Sequence, residues 1–309
     1  MSRDHEHHDY AAPALPGSPP VIRRLVLSVA LTGVVLAAEI AGGIWAHSLA
    51  LLSDAAHVFM DLFALALSLA ALLLARLPAD DKRTFGWHRA EVFAALVNGL
   101  SLIGVAVIIF VEAAKRLAHP EPVKGVGLLA IAAAGLVANA AIALILRRHV
   151  GGDLNLRAAF LHVIGDAAAS VGVIIGAVVV IFTGWYLIDP LLAIAIGGLL
   201  LWGAGRLVHD ATHILLEGTP PGIRPRQVAA ALETVEGVAA VHDLHVWAIC
   251  SHIKNLSAHL VVREGAADAV RVAAEKVLAD GFGIRHTTLQ MEEESCNNSG
   301  TVFCEKLAH

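Results

Sequence analysis

Six apolar stretches follow one another along the first two thirds of the chain, at roughly Val21–Trp45, Leu49–Ala75, Glu91–Leu117, Val126–Leu146, Ala158–Thr183 and Leu187–Val208. Each is about 20 residues or longer, enough for a helix rising 1.5 Å per residue to cross the hydrocarbon core of a bilayer. Inside lipid every backbone N–H and C=O must be paired within the protein, which leaves helices or closed barrels, and stretches of this length demand helices. A composition 57% hydrophobic and only 16% charged excludes a soluble globular chain and agrees with a polytopic membrane protein. An even number of spans puts both termini on one side. Arg23 and Arg24 precede the first span, Arg76, Lys82, Arg83 and Arg89 lie between the second and third, and Arg147, Arg148 and Arg157 lie between the fourth and fifth. The alternate loops hold only Lys115, Arg116 and Lys124, so the excess of positive charge places both termini in the cytoplasm, and the cell (inner) membrane is the expected location.

The chain divides into four parts. Residues 1–20 are rich in His and Pro, lack the apolar core of a signal peptide and read as a disordered cytosolic arm. Residues 21–217 are the membrane domain. From 218 to 292 the pattern changes: RPRQVAAALETVEGV has helical periodicity, VAAVHDLHVWAIC and IKNLSAHLVVR alternate as strands, ADAVRVAAEKVLAD is helical and IRHTTLQMEE is again strand-like. That order folds as a small α+β, ferredoxin-like sheet with both helices on one face, marginal alone and strengthened by dimerisation. Residues 293–309 are a tail. Three cysteines, Cys250, Cys296 and Cys304, do not make a disulfide framework and suit a reduced compartment. Charges are scattered, with a net of −5 and no basic stripe, so nucleic acid is not a partner.

Two spans carry residues that membrane helices rarely hold. SLALLSDAAHVFMDLFALALS contains His57 and Asp61, and LHVIGDAAAS contains His162 and Asp166, each pair four residues apart. Residues i and i+4 lie one above the other on a helix face. Two such helices facing each other enclose two imidazoles and two carboxylates, a complete tetrahedral shell for a divalent metal, zinc before others. An ionisable group in the bilayer costs about 2.5–3.5 kcal/mol even on lenient scales, so it persists where it lines a pathway or binds something. Interhelical hydrogen bonding would explain one such pair, but two identical devices exceed what that role requires. Asp54, three residues before His57, suits a hydrogen-bonding or vestibule role. Asn98 and Asn139 suit interhelical hydrogen bonds, Glu112 is a further polar residue within a span, and Glu39 is placed deep enough to touch the permeation path.

These elements resemble the cation diffusion facilitator family, six-span exporters of zinc and related metals, and most closely its bacterial zinc exporters. The resemblance runs from Leu25 to Glu292 and is carried by SLALLSDAAHVFMD, TFGWHRAEVFAALVNG, FLHVIGDAAASVGVIIGA, YLIDPLLA, VHDLHVW and HTTLQME. It implies a homodimer in the lipid bilayer, a transport site built by His57, Asp61, His162 and Asp166, and metal leaving the cytosol as protons enter. It also implies a tail metal site, carried onto His242, His259, His286 and Glu292, with His245 structural; the residues themselves place His242 and Asp243 just ahead of a strand. The His-rich stretch that many relatives carry between spans four and five is reduced here to RRHVGGDLN, and His5, His7 and His8 of the arm stand as its substitute. Cys296 and Cys304 are candidate thiolate ligands, and His88, near Asp80 and Asp81, is a further candidate opposed by Arg83 and Arg89. Zn²⁺, with Cd²⁺ or Co²⁺ tolerated, is the ion expected both in transit and in the tail, since imidazole and carboxylate suit these ions better than Mn²⁺ or Cu⁺. No phosphate-binding GxxxxGK[ST] loop is present to drive an ATP-powered pump. An intramembrane metalloenzyme would need an open coordination site and a base, typically HExxH, which the chain lacks, and a metal sensor that does not transport is the third reading.

Overall fold

The computed structural model describes residues 19–147, 154–263 and 267–293, with side chains over 32–144, 163–263 and 267–293. Six long apolar helices come first: α1 (Pro19–Ala46), α2 (Leu49–Ala75), α3 (Ala90–Ala118), α4 (Gly125–Arg147), α5 (Leu154–Thr183) and α6 (Ile188–Leu215). Helices α2 to α6 are long and apolar enough to cross a membrane, and α1 is apolar over Thr32–Ala46. The spans read from the sequence match these helices closely except the sixth, which continues to Leu215 rather than stopping near Val208. Its last turns are amphipathic: Ala211 is buried while His209 and Asp210 face outward, so apolarity ends before the helix does. Large side chains such as Leu65, Leu69, Ile108, Val137 and Trp202 are exposed, as expected of surfaces that meet lipid tails.

The structure divides into two compact units, one formed by residues up to Phe59 with Val105–Leu199, the other by Met60–Gly104 with residues from Leu200 onward. In the first unit Ala50 and Leu51 of α2 pack with Leu128 and Ala132 of α4 and with Val173, Ala177 and Val180 of α5. Close approach of α1 to α4 depends on small residues: a Cβ at Gly127 would enter the Trp45 ring, and one at Gly42 would enter Ile131. Lipid tails are as apolar as leucine, so backbone proximity of this kind supplies the packing that hydrophobicity cannot.

The start of α2 is held by its neighbours. Asp189, buried in the first turn of α6, accepts hydrogen bonds from Ser48 Oγ at 2.5 Å, Leu49 N at 2.6 Å and Ala50 N at 3.3 Å. It caps the otherwise unpaired N–H groups at that helix end from another helix. Arg116 of α3 donates to the carbonyl of His47 at 2.5 Å and lies 3.7 Å from Asp189, clamping a turn in which His47 has a positive φ of 56°. Asp189→Ala should therefore destabilise the folded protein by about 1–2 kcal/mol, the usual cost of losing a helix cap, with Asp189→Asn milder because an amide oxygen still accepts. Denaturant unfolding of the detergent-solubilised protein measures this, and an Asp189→Ala midpoint equal to that of the wild type would refute it.

In the second unit Gly99 of α3 lets Val208 of α6 approach closely. Beyond α6 the chain forms α7 (Pro225–Glu233), β1 (Val238–Cys250), β2 (Ile253–Val262), α8 (Ala267–Phe282) and β3 (His286–Glu292). Proline at the first position of α7 has no N–H to leave unpaired, which is why the helix begins there. β1 and β2 are antiparallel neighbours joined by the two-residue turn Ser251–His252, and β3 runs parallel to β2, the crossover being α8. This αββαβ order is the ferredoxin-like arrangement without a first strand. Val228 and Leu232 of α7, Val270, Ala274 and Leu278 of α8, and the alternate residues Leu256, Ala258 and Leu260 of β2 share one core, so both helices cover one sheet face. The opposite face carries the residues between, including His259.

Candidate functional site

Helix α2 runs unbroken through His57 and Asp61, which leave the same face one turn apart. From α5, Asp166 approaches His57, with Nε2 and Oδ1 3.5 Å apart and both side chains mostly buried. A tetrahedral zinc bound by nitrogen and oxygen at its ordinary bond lengths spaces those atoms by about 3.4 Å. An ion thus fits between His57 and Asp166 with little movement of either. His162 lies in α5 one turn before Asp166, and its side chain is outside the described residues.

Two further carboxylates stand in the same interior. Asp54 is 3% exposed in the second turn of α2, and Glu39 of α1 is 2% exposed. The Glu39 carboxylate lies against Gly135 of α4, where a Cβ would come within 3.1 Å of Oε1. Charge on Asp54, His57 and Asp166 reaches Glu39, and Asp54 in turn feels His57 and Asp166. The sequence leaves the part played by Glu39 open; the fold puts it in the same electrostatic neighbourhood as the His–Asp pair. The signal available beforehand was its depth in an apolar run. Asp189 was legible only in part: it lies in the YLIDPLLA turn, but its partners at Ser48 to Ala50 are remote in sequence.

A second group sits on the outer face of the C-terminal sheet. His242 of β1 and His259 of β2 are direct partners in the antiparallel register, with ring centroids 5.2 Å apart. Glu292, at the end of β3, lies 2.9 Å from His242 Nε2 through one oxygen and 2.9 Å from His259 Nδ1 through the other. Asp243 adds a carboxylate 3.5 Å from His259 Nε2 and 3.2 Å from His245 Nε2. His242 and Asp243 lie inside β1 rather than ahead of it, which corrects the sequence reading. The strand is irregular there, with a register shift between His242 and His245 and a φ of 50° at Asp243. Such bulges re-aim side chains. His245 is outside the His242–His259–Glu292 group.

His286 is not brought to this group. It begins β3, opposite Asn255, six residues from Glu292 and thus about 20 Å away along the strand. Its ring meets the edge of Phe85 at 5.6 Å. Asp80 pairs with Arg83, and the His88 ring faces His252 with ring centroids 6.3 Å apart. Cys296 and Cys304, the arm histidines and the RRHVGGDLN segment beyond Arg147 lie largely outside the described residues.

The cation efflux transmembrane domain family matches residues 25–216, all six apolar helices but the start of the first. The chain belongs to the cation efflux family. The family's cytoplasmic domain matches residues 220–294, the segment that forms the αββαβ unit. Among the relatives, the metal cation efflux system protein CzcD of Cupriavidus metallidurans is 40% identical over 282 residues, covering 90% of this chain and 88% of that one. The cadmium, cobalt and zinc/H(+)-K(+) antiporter of Bacillus subtilis is 38% identical, covering 91% and 92%. The zinc transporter ZitB of Escherichia coli is 38% identical, covering 89% and 88%. A solved metal-bound C-terminal domain of the CzcD transporter is 32% identical and covers 23% of this chain and 99% of that one, with a TM-score of 0.22. This cation efflux protein is a multi-pass membrane transporter and not an enzyme.

Proposed function

We propose that this protein exports Zn²⁺, and tolerates Cd²⁺ or Co²⁺, from the cytoplasm in exchange for protons through a site made by His57, Asp61, His162 and Asp166. The observation that carries the reading is His57 beside Asp166 at ion-holding distance between two membrane helices, each duplicating the same four-residue spacing. Two imidazoles with two carboxylates favour zinc-like ions, whereas Mn²⁺ prefers an all-oxygen set and Cu⁺ prefers sulfur. The relatives' names, which speak of zinc, cadmium and cobalt, support the same choice. Glu39 and Asp54 add two buried carboxyl groups to the same interior, oxygen donors rather than further cations beside the His–Asp pair. The test is flux of each of these ions, with Mn²⁺ as contrast, into proteoliposomes holding the purified full-length protein. Absence of zinc flux would refute transport and leave the sensor reading.

Residues 21–217 serve transport in this proposal, and 218–292 form a cytoplasmic domain that dimerises and binds metal, both termini being cytoplasmic. His242, His259 and Glu292 are its ligands; their 2.9 Å contacts are hydrogen-bond lengths that widen by about half an ångström to admit zinc. Since even partners outside the ligand shell change metal affinity about 10–100-fold, His259→Ala should weaken Zn²⁺ binding by the C-terminal domain at least that much. His286→Ala should leave it within about twofold if, as its position in β3 indicates, it is not a ligand. Isothermal titration of the full-length variants distinguishes the two, and equal losses would return His286 to the site through a partner subunit.

A further inference from the structure

A third group of ligating side chains lies apart from both sites described above. His88, in the segment leading into α3, Cys250, the last residue of β1, and His252, in the turn that follows, offer ligand atoms that all lie within 4.8 Å of one another. Cys250 Sγ is 3.5 Å from His252 Nδ1 and 3.8 Å from Nε2. Zinc bound by a thiolate and an imidazole at ordinary lengths spaces sulfur and nitrogen by about 3.5 Å. Glu91, in the first turn of α3, completes the set: Oε2 is 3.7 Å from His252 Nδ1, while the other oxygen accepts a hydrogen bond from Ser251 Oγ.

The site is built from both sides. The hairpin tip packs between α3 and α6, where Cys250 is fully buried among Val92, Ala211, Ile214 and Ile253, so the thiol's position is fixed by the core. His252 is two-thirds exposed on the turn and gives an ion its way in. A buried cysteine alone would be a small apolar filler; here the sulfur faces an imidazole, with a second imidazole and a carboxylate behind it. The nearby cations are already engaged. Arg89 lies 3.5 Å from Glu217, and Arg83 lies 3.8 Å from Asp80 with its guanidinium over Trp87. Their charges are offset, and the objection that they repel a dication from His88 loses its force.

We infer that His88, Cys250, His252 and Glu91 form a distinct site for a thiophilic divalent cation, Zn²⁺ or Cd²⁺, which ties the β1–β2 hairpin tip to the start of α3. Sulfur makes it softer than the His/Asp and His/Glu groups. It joins the C-terminal domain to a membrane helix, so its loading can be communicated to that helix.

Co²⁺ is the probe, added to the full-length protein in detergent. A tetrahedral thiolate site gives a thiolate-to-cobalt charge-transfer band in the near ultraviolet, which neither of the other two groups can produce because they contain no sulfur. The band is expected in the wild type and in a Cys296→Ser/Cys304→Ser double variant. It should vanish in Cys250→Ser, and His252→Ala, a change on an exposed turn that leaves the core intact, should weaken the Co²⁺ affinity read from it about tenfold or more. A band unchanged in both Cys250→Ser and His252→Ala, or absent from the double variant, overturns the assignment. Either result is independent of whether the His57–Asp166 site transports.

Discussion

Asp166→Ala is expected to reduce zinc flux in proteoliposomes to background, with Asp61→Ala doing the same. Zinc held by two imidazoles and two carboxylates is close to neutral and tolerates a low-dielectric interior. Without one carboxylate the ion keeps a net positive charge there and lacks a fourth ligand. Loss of a ligand should cost at least the upper end of the effect of outer-shell changes, about 100-fold in affinity. Folding should survive, because Asp166 is not part of the packed cluster of Leu51, Leu128, Val173 and Ala177. The cobalt–thiolate band at Cys250, far along the chain, provides the control for an intact protein. Near-normal flux in either aspartate variant would place the transport site elsewhere.

Collapsing an inward proton gradient with an ionophore should stop outward zinc movement against its own gradient. Ligation needs neutral imidazole and ionised carboxylate, so protons and metal compete for the same atoms. Histidine ordinarily titrates near pH 6.5, and below that range each displaced proton weakens zinc binding about tenfold per pH unit. The sign follows: affinity is high on the more alkaline side and falls as pH drops through the histidine range, so an acidic exterior discharges the ion. The measurement is zinc flux with an imposed pH difference, before and after ionophore, paired with binding from mildly acidic to mildly alkaline pH. Flux indifferent to the gradient would leave a uniporter lined by the same residues.

The spans and strands were legible because length and alternation are local properties. Leu49–Ala75 coincides with its helix to the residue, and the alternating run VAAVHDLHVWAIC is one strand, although His242 and Asp243 fall inside it rather than ahead of it. What local pattern does not contain is position across the fold. Period-two alternation puts His286 and Glu292 on one face of β3 but does not say that His242 and His259 gather around Glu292 alone; the pairing register does. The distant approach of His88 to Cys250 and His252 left no local trace, and His88 read in isolation pointed toward Asp80 and Asp81. The αL conformation at Asp243 likewise arises from a bulge that alternation alone conceals.

The cap on α2 has a mechanical consequence. Asp189 and Arg116 grip Ser48, Leu49, Ala50 and the His47 carbonyl from two other helices, so the head of α2 is pinned. A rod fixed at its head moves least there and most at its far end. His57 hangs eight residues below Leu49, about 12 Å along the axis, so a tilt of about ten degrees about the pin carries it about 2 Å. That displacement is comparable to a metal–ligand bond length. Any tilt of α2 about that one carboxylate would therefore change the His57–Asp166 distance by as much as a bond to the metal.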